Sequence, residues 1–176
     1  MEKSDSLEIR TLGERDAQSY FGLRLEALEQ EPGSFAESAD EFRKTTPARV
    51  AAWLRSCSAD NFIIGAFAKG QLIGMAGFYR SKGEKTRHKG HIWGVYVKQD
   101  WRRKGIAKDL LKQVVGRAQA LDGLQQVSLG VAIAATAAKK LYESLGFEVY
   151  GREPGAIRVN DDYLDEELMM LQVREK

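Results

Sequence analysis

Hydrophobic and polar positions change their period several times along the chain, and each change marks an element. Leu7-Glu8-Ile9-Arg10-Thr11-Leu12 alternates as a half-buried strand does. Ala17, Phe21, Leu25 and Leu28 follow at helical spacing and predict one apolar face, which Glu31-Pro32-Gly33 brings to an end. Thr46-Pro47 opens a second helix, with the proline in the first turn and Val50, Trp53, Leu54 and Cys57 on one face. Phe62 to Ala68 and Leu72 to Tyr79 read as the two strands of a hairpin that turns at Lys69-Gly70-Gln71. A polar, basic connection from Arg80 to Lys89 leads to a strand ending at Val97.

The pattern sharpens in the second half. Ile106, Ala107, Leu110, Leu111, Val114, Ala118 and Leu121 share one helical face. Val127 to Val131 is a short apolar strand. Ala134, Ala137, Ala138, Leu141, Tyr142 and Leu145 then mark another helix, stopped by Gly146 where a left-handed residue is usual. Phe147 to Gly151, Ala156 to Val159 and Leu164 to Val173 read as strands, with Asn160-Asp161-Asp162 as a turn. This order predicts an α/β protein, a mixed sheet with helices packed on its faces, in one domain over residues 1–176.

Composition narrows the function classes. A content of 43% hydrophobic and 30% charged residues is that of a folded chain and not a disordered one. The net charge of +2 is too small to point to nucleic acid. Cys57 is the only cysteine, which excludes an internal disulfide and a cysteine-based zinc site and fits a reducing cytoplasm. Met1-Glu2-Lys3-Ser4-Asp5 leads into a strand-like segment and not a signal-peptide core, and no apolar run approaches the ~20 residues that cross a bilayer. The expectation is a cytoplasmic protein with no membrane partner.

The segment with the most chemistry is Val95-Tyr96-Val97 followed by Arg102-Arg103-Lys104-Gly105-Ile106-Ala107. It reads as a strand, a basic turn and a helix that starts at once. Such a turn aims free backbone N–H groups at one point, which also lies at the positive end of the helix dipole. A diphosphate is the natural occupant. Gly105 lets the phosphate oxygens approach the backbone, and Arg102, Arg103 and Lys104 add positive charge. A nucleotide-bearing cofactor is therefore expected.

The same segment resembles the GNAT acetyltransferase superfamily. Arg102-x-x-Gly105-x-Ala107 is similar to that family's Gln/Arg-x-x-Gly-x-Gly/Ala turn, with a strand before it and a helix after. Downstream, Ala138-x-x-Leu141-Tyr142-Glu143-x-x-Gly146-Phe147 resembles the family's next helix and turn. The resemblance implies a mostly antiparallel central sheet with helices on both faces, binding acetyl-CoA and releasing coenzyme A. It also implies roles. Val95, Tyr96 and Val97 would bind the pantetheine arm through their backbone, and Arg103 to Ala107, with Lys104, Gly105 and Ile106 among them, would hold the diphosphate. Tyr142 would protonate the leaving sulfur, since a phenol of pKa ~10 stays protonated where a thiol of ~8.5 begins to ionise.

The expected reaction is direct transfer of an acetyl group to a primary amine of a small molecule or a protein. An alkylammonium of pKa ~10.4 is neutral in only about one molecule in two thousand at neutral pH, so a base is needed. Trp93 stands where several relatives place a glutamate, Ala135 where many have an asparagine, and Gln99 where proline is common. His91 has a suitable pKa class. Glu26, Glu29 and Glu31 fall where the family's acceptor pocket often lies, and a chain of waters to a more distant carboxylate serves equally well. The rival function is a non-catalytic acyl-CoA-binding module for sensing or docking. A monomer and a homodimer are equally compatible with the sequence.

Other patterns lead elsewhere. Gly65 and Gly70 have P-loop spacing, but Gln71 replaces the required lysine. His88 and His91 lack further ligands, so no metal is expected. The basic run from Arg80 to Lys89 has no interleaved aromatics and reads as a solvated loop, not a nucleic-acid site. Asp161, Asp162, Asp165, Glu166 and Glu167 read as a turn and edge strand that can also attract a cationic amine.

Overall fold

Glycine and capping residues divide the chain into its elements much as the periodicity predicts. The computed structural model describes residues 7–173, so the expectation for Met1 to Asp5 lies outside the described residues. In chain order the elements are β1 (Glu8–Thr11), α1 (Ala17–Gln30), α2 (Ala39–Phe42), α3 (Pro47–Arg55), β2 (Asn61–Ala68), β3 (Gln71–Arg80), β4 (Lys89–Val97), α4 (Ile106–Gln119), β5 (Gln126–Ala132), α5 (Thr136–Glu143), β6 (Glu148–Val159) and β7 (Asp162–Gln172). The strands form one seven-stranded sheet in the order β1-β2-β3-β4-β5-β7-β6. Every pairing is antiparallel except β4 with β5. The mixed sheet expected from the periodicity, and the mostly antiparallel pairing that the resemblance implies, are thus observed.

Helices cover both faces. On one, Leu110, Leu111, Val114 and Ala118 of α4 are fully buried against Ile64, Ile73 and Phe78. On the other, Tyr20, Leu23 and Ala27 of α1 and Val50 and Leu54 of α3 pack on Ile63 and Met75. With both faces covered, β2 and β3 are apolar at nearly every position and do not alternate. The β2–β3 turn uses Lys69 and Gly70 at φ +51° and +77°, the left-handed pair that suits a two-residue hairpin.

Four local expectations change. The inner face of α1 is centred on Tyr20, Leu23, Arg24 and Ala27, with Phe21 and Leu25 only half-buried, because α2 also covers this helix and Phe21 stacks on Phe42 at 5.0 Å. α3 ends at Arg55, so Cys57 lies beyond it and not on its face. The short α2 has no apolar periodicity, but Ser38 and Glu41 form a capping box that marks its start. The two strands expected within residues 147–159 are one edge strand, β6. Its register shifts between Glu153 and Ile157, where Pro154 and Gly155 (φ +60°) form a bulge and the Gly155 N–H donates to Asp165 Oδ1 at 2.8 Å. The β6–β7 turn is correspondingly tight, with Asp162 already in β7.

The entry to α1 is held by a buried carboxylate. Asp16 accepts from Arg10 at 2.7 and 2.8 Å and from the Gly13 N–H at 2.8 Å. These donors, Arg10 first, hold the Asp16 carboxyl below the usual carboxylate range. A depressed folded pKa stabilises fully above the unfolded value of about 3.9, and the contribution disappears as pH falls through the folded value. Asp16→Asn is therefore expected to cost about 2 kcal/mol at neutral pH and to flatten the acid limb of stability measured by urea unfolding. An acid limb as steep as in the wild type would contradict this role.

Candidate active site

The site follows from a fault in the sheet. β4 and β5 pair only at Lys89–Gln126, Gly90–Val127 and His91–Ser128. Beyond His91 they part, while β5 continues to Ala132 on β7. A bulge in β4 drives the parting. Gly77 faces Trp93 and Met75 faces Tyr96, so Gly94 and Val95 together oppose Ala76, and Gly94 takes φ +63°. The split leaves the β4 edge from Ile92 to Val97 without a ladder partner on that side among the described residues.

Two adjoining cavities fill the split, of about 600 and 110 Å³. They share Glu31, Val95, Ala135, Ala138 and Tyr142. The larger runs from the β4 edge to the start of α4, walled by α5. The smaller lies between Trp93 and Gly94 of β4, Gly130 of β5, and Ser34 and Phe35 after α1.

The turn before α4 has the geometry its sequence suggests. Arg103 takes φ +59° and Gly105, the residue capping the helix, takes φ +82°. The first helical hydrogen bond runs from the Asp109 N–H to Gly105 O at 3.0 Å. The N–H groups of Ile106, Ala107 and Lys108 therefore have no partner within the helix. A β-carbon at Gly105 would meet no atom within 4 Å, so the space beside this backbone is open.

Of the residues expected at the cofactor, Val95, Tyr96, Val97, Arg102, Arg103, Gly105, Ile106 and Ala107 all line the larger cavity. Lys104 does not, because its Nζ lies over the Trp101 ring at 4.7 Å, and Lys108 lines the cavity in its place. Arg102 is committed to the protein. Its Nε donates to Val97 O at 2.9 Å and its Nη2 pairs with Glu31 at 2.6 Å. It ties the turn to the end of β4 and to the segment after α1, so its charge is largely spent there.

Tyr142 stands at the junction of the two cavities, 7% exposed, with its ring edge-on to Phe147 at 6.0 Å. Burial pushes its phenol well above the usual range, which keeps it protonated. Ala135, at the start of α5, and Trp93 both line the smaller cavity. The Trp93 ring lies over Gly77 of β3, where a β-carbon would approach it to 2.3 Å.

The acid–base candidates separate. His91 lies in the paired part of β4 and lines neither cavity. Its Nε2 is 3.0 Å from Ser81 Oγ, its Nδ1 is 2.8 Å from Ser128 Oγ, and its ring stacks on Tyr79. Burial, then Lys89, lowers its pKa. Glu26 also stands outside both cavities, accepting from the Tyr96 hydroxyl at 3.0 Å with Lys98 Nζ at 3.3 Å. Burial first, then Glu26, pushes the Tyr96 phenol up to about 12. Glu29 pairs with Arg43. Glu31 faces both cavities.

Two further residues stand beside the smaller cavity: Glu166, expected only as one member of an acidic run on an edge strand, whereas β7 lies between β5 and β6, and Arg24, absent from the sequence expectations. Glu166 of β7 lies over Gly130, where a β-carbon would be 2.6 Å from its Oε2. Burial, then Glu153 beside it, raises the Glu166 pKa. Its neighbours in the acidic run are paired: Asp161 with Arg158, Asp165 with Arg152, Glu167 with Lys139. Arg24 lies behind Phe35 and Trp93. The Gly130 position on an apolar strand was the available signal for the first, and a lone arginine on the inner face of α1 for the second.

Among the described residues no group of three His, Cys, Asp or Glu side chains is placed to hold a metal, and no helix is long and apolar enough to cross a membrane. Cys57 is half-buried beside α3, away from both cavities, and burial raises its pKa. Cys57→Ala is expected to leave turnover within about twofold. Complete loss in a folded variant would show a covalent route through the thiol.

Comparison with known proteins agrees with this architecture. The chain is similar to a GNAT-family acetyltransferase from Streptococcus pneumoniae, at 22% identity over 95% of this chain and 99% of that one, with a TM-score of 0.85. It is similar to yncA, a putative acetyltransferase from Salmonella typhimurium solved with its cofactor acetyl-CoA, at 21% identity over 97% and 96% of the two chains and a TM-score of 0.84. A phosphinothricin acetyltransferase from Sinorhizobium meliloti in complex with acetyl-CoA matches at 22% identity, over 94% and 88% of the chains, with a TM-score of 0.80. At these identities the likeness concerns the fold. No curated protein matches the sequence. The family model for the acetyltransferase (GNAT) family matches residues 23–147, from α1 to the turn after α5. That match covers more than half of the chain and takes in both walls of the split sheet, and the protein belongs to the GNAT acetyltransferase family.

Proposed function

We propose that the protein transfers the acetyl group of acetyl-CoA directly to a primary amine of a small molecule or protein. The observation that carries this reading is the split between β4 and β5, with an open phosphate seat at one end and Tyr142 where the two cavities meet. The residues fit a CoA thioester. The unpaired β4 edge suits the amide-rich pantetheine arm, bound as an added strand. The free N–H groups of Ile106 to Lys108 and the open space at Gly105 suit the diphosphate. The acetyl-CoA held by two proteins of the same fold supports the same donor.

In this scheme the acceptor enters the smaller cavity. Its ammonium loses a proton, the nitrogen lone pair forms the new N–C bond, the C–S bond breaks as the sulfur takes the Tyr142 proton, and the second proton shed by the acylated nitrogen returns to the Tyr142 phenolate. Glu166 accepts the ammonium proton. It overhangs Gly130 at the wall of the smaller cavity, no ion pair engages it among the described residues, and its raised pKa makes it a better base than an ordinary carboxylate. Glu31 is held by Arg102, while His91 is engaged by Ser81 and Ser128 and Glu26 by Tyr96 and Lys98. Because Glu166 must be ionised to act, kcat/KM is expected to rise with pH through an acid limb above the usual carboxylate value of about 4.3. Glu166→Gln is expected to lower kcat/KM and erase that limb. An acid limb that survives the substitution would assign the base elsewhere.

Thiol release from acetyl-CoA in the presence of an amine panel tests the whole reading. Thiol and acetylated amine should form in equal amounts. Acetyl-CoA binding with no product from any amine would instead identify a non-catalytic acyl-CoA-binding module.

A further inference from the structure

The acceptor cavity has a donor beside it that acetyl transfer alone does not use. Arg24 is only 6% exposed. Its Nη2 and Nε donate to Glu37 Oε2 at 3.0 and 3.4 Å, while Nη1, fully buried, has no hydrogen-bond partner among the described residues. An unmade hydrogen bond on a buried guanidinium is costly, and such a group calls for an explanation.

Its surroundings supply one. The guanidinium lies 4.9 Å from the Phe35 ring and 5.8 Å from the Trp93 ring. Nη1 is 3.6 Å from where a β-carbon would stand on Gly94. Phe35, Trp93 and Gly94 are all walls of the 110 Å³ cavity. The free N–H thus sits directly behind the cavity on its β4 side, at the one wall residue there that has no side chain. On the β5 side, Glu166 overhangs Gly130. Neither side chain lines the cavity itself; the two opposite charges flank it, Arg24 behind the Gly94 wall and Glu166 over the Gly130 wall.

We propose that the acceptor is a small amine that also bears a carboxylate, and that Arg24 Nη1 anchors the carboxylate while the amine lies toward Glu166. This rests on the acetyl-transfer reading above. A guanidinium suits the task because its fork has two arms: Glu37 holds one and leaves the other for the ligand. Glu37 also balances the buried charge when no acceptor is bound. The small size of this cavity, about 110 Å³, favours a compact acceptor over a long polyamine.

The test is thiol release from acetyl-CoA with each L-amino acid assayed beside its own carboxamide. At least one acid should exceed its amide in kcat/KM by about tenfold or more. Arg24→Lys, which keeps the charge and loses the fork, should shrink that ratio to about threefold or less. Glu37→Gln, which frees the second arm, should enlarge it; this second variant decides the matter if Arg24→Lys does not fold. A purely structural Arg24 would change acid and amide alike and leave the ratio where it was, which would overturn the proposal. So would amides that match or exceed their acids throughout, or a failure to turn over any amino acid. Calorimetry with acetyl-CoA separates the two layers. Lost acetyl-CoA binding in the wild type would remove the acetyl-transfer reading itself, whereas intact binding without acid preference would remove only the role of Arg24.

Discussion

Gly105→Glu is expected to abolish calorimetric binding of acetyl-CoA in a protein that remains folded. Two independent effects act in the same direction. Gly105 takes φ +82°, a conformation that costs a residue with a β-carbon about 1–2 kcal/mol. The open space beside its backbone would also receive a carboxylate at the point where the N–H groups of Ile106, Ala107 and Lys108 converge. A negative group there satisfies the helix N-terminus internally and repels the diphosphate it would otherwise bind. Gly105→Ala separates the two contributions. It carries the backbone strain without the charge, so it should weaken binding by about tenfold, and Gly105→Glu by far more. Equal affinity in wild type and Gly105→Glu would place the diphosphate elsewhere.

Tyr142→Phe is expected to lower turnover by more than about tenfold while acetyl-CoA affinity changes little. The substitution removes one hydroxyl and keeps the ring that packs edge-on to Phe147. Burial holds the phenol protonated at all ordinary pH, so the donor is present whenever the C–S bond breaks. In an apolar cleft the departing sulfur is also a stronger base than a thiolate in water, which favours its hydrogen bond to the phenol. The diagnostic is the split between kinetic parameters: loss in kcat with KM for acetyl-CoA retained belongs to a proton donor. An equal loss in acetyl-CoA affinity would make Tyr142 a packing residue, consistent with its place in the core around α5.

The contrast between these two residues and the acceptor side shows where sequence reading stops. The turn at Gly105 and the helix that carries Tyr142 were legible because their backbone requirements are local, whereas the role of Tyr142 came from the family resemblance. A left-handed residue before an apolar helix, and an apolar helix ended by Gly146, are each written within a few positions. His91 and Glu26 carry suitable chemistry, but register and helix packing decide what they face. His91 falls in the paired part of β4 between Ser81 and Ser128, and Glu26 is taken up by Tyr96 and Lys98. A helical wheel puts Arg24 beside Ala17, Phe21 and Leu28, but it takes α2, which shields Phe21, to turn Arg24 inward.

The sequence by itself therefore determined the order of elements, the α/β sheet with helices on both faces, and the basic, glycine-containing turn before α4. Each depends on backbone preferences and periodicities that act over a turn of helix or a pair of residues. The tertiary structure alone decided the acceptor half. Arg24, Phe35, Trp93, Gly130 and Glu166 come from α1, the segment after it, β4, β5 and β7. They meet because a bulge at Gly94 separates β4 from β5 and because two glycines leave room at the walls of the gap. Such a meeting is set by strand register and sheet splay, which sum over the whole chain and leave no mark in any short stretch of it.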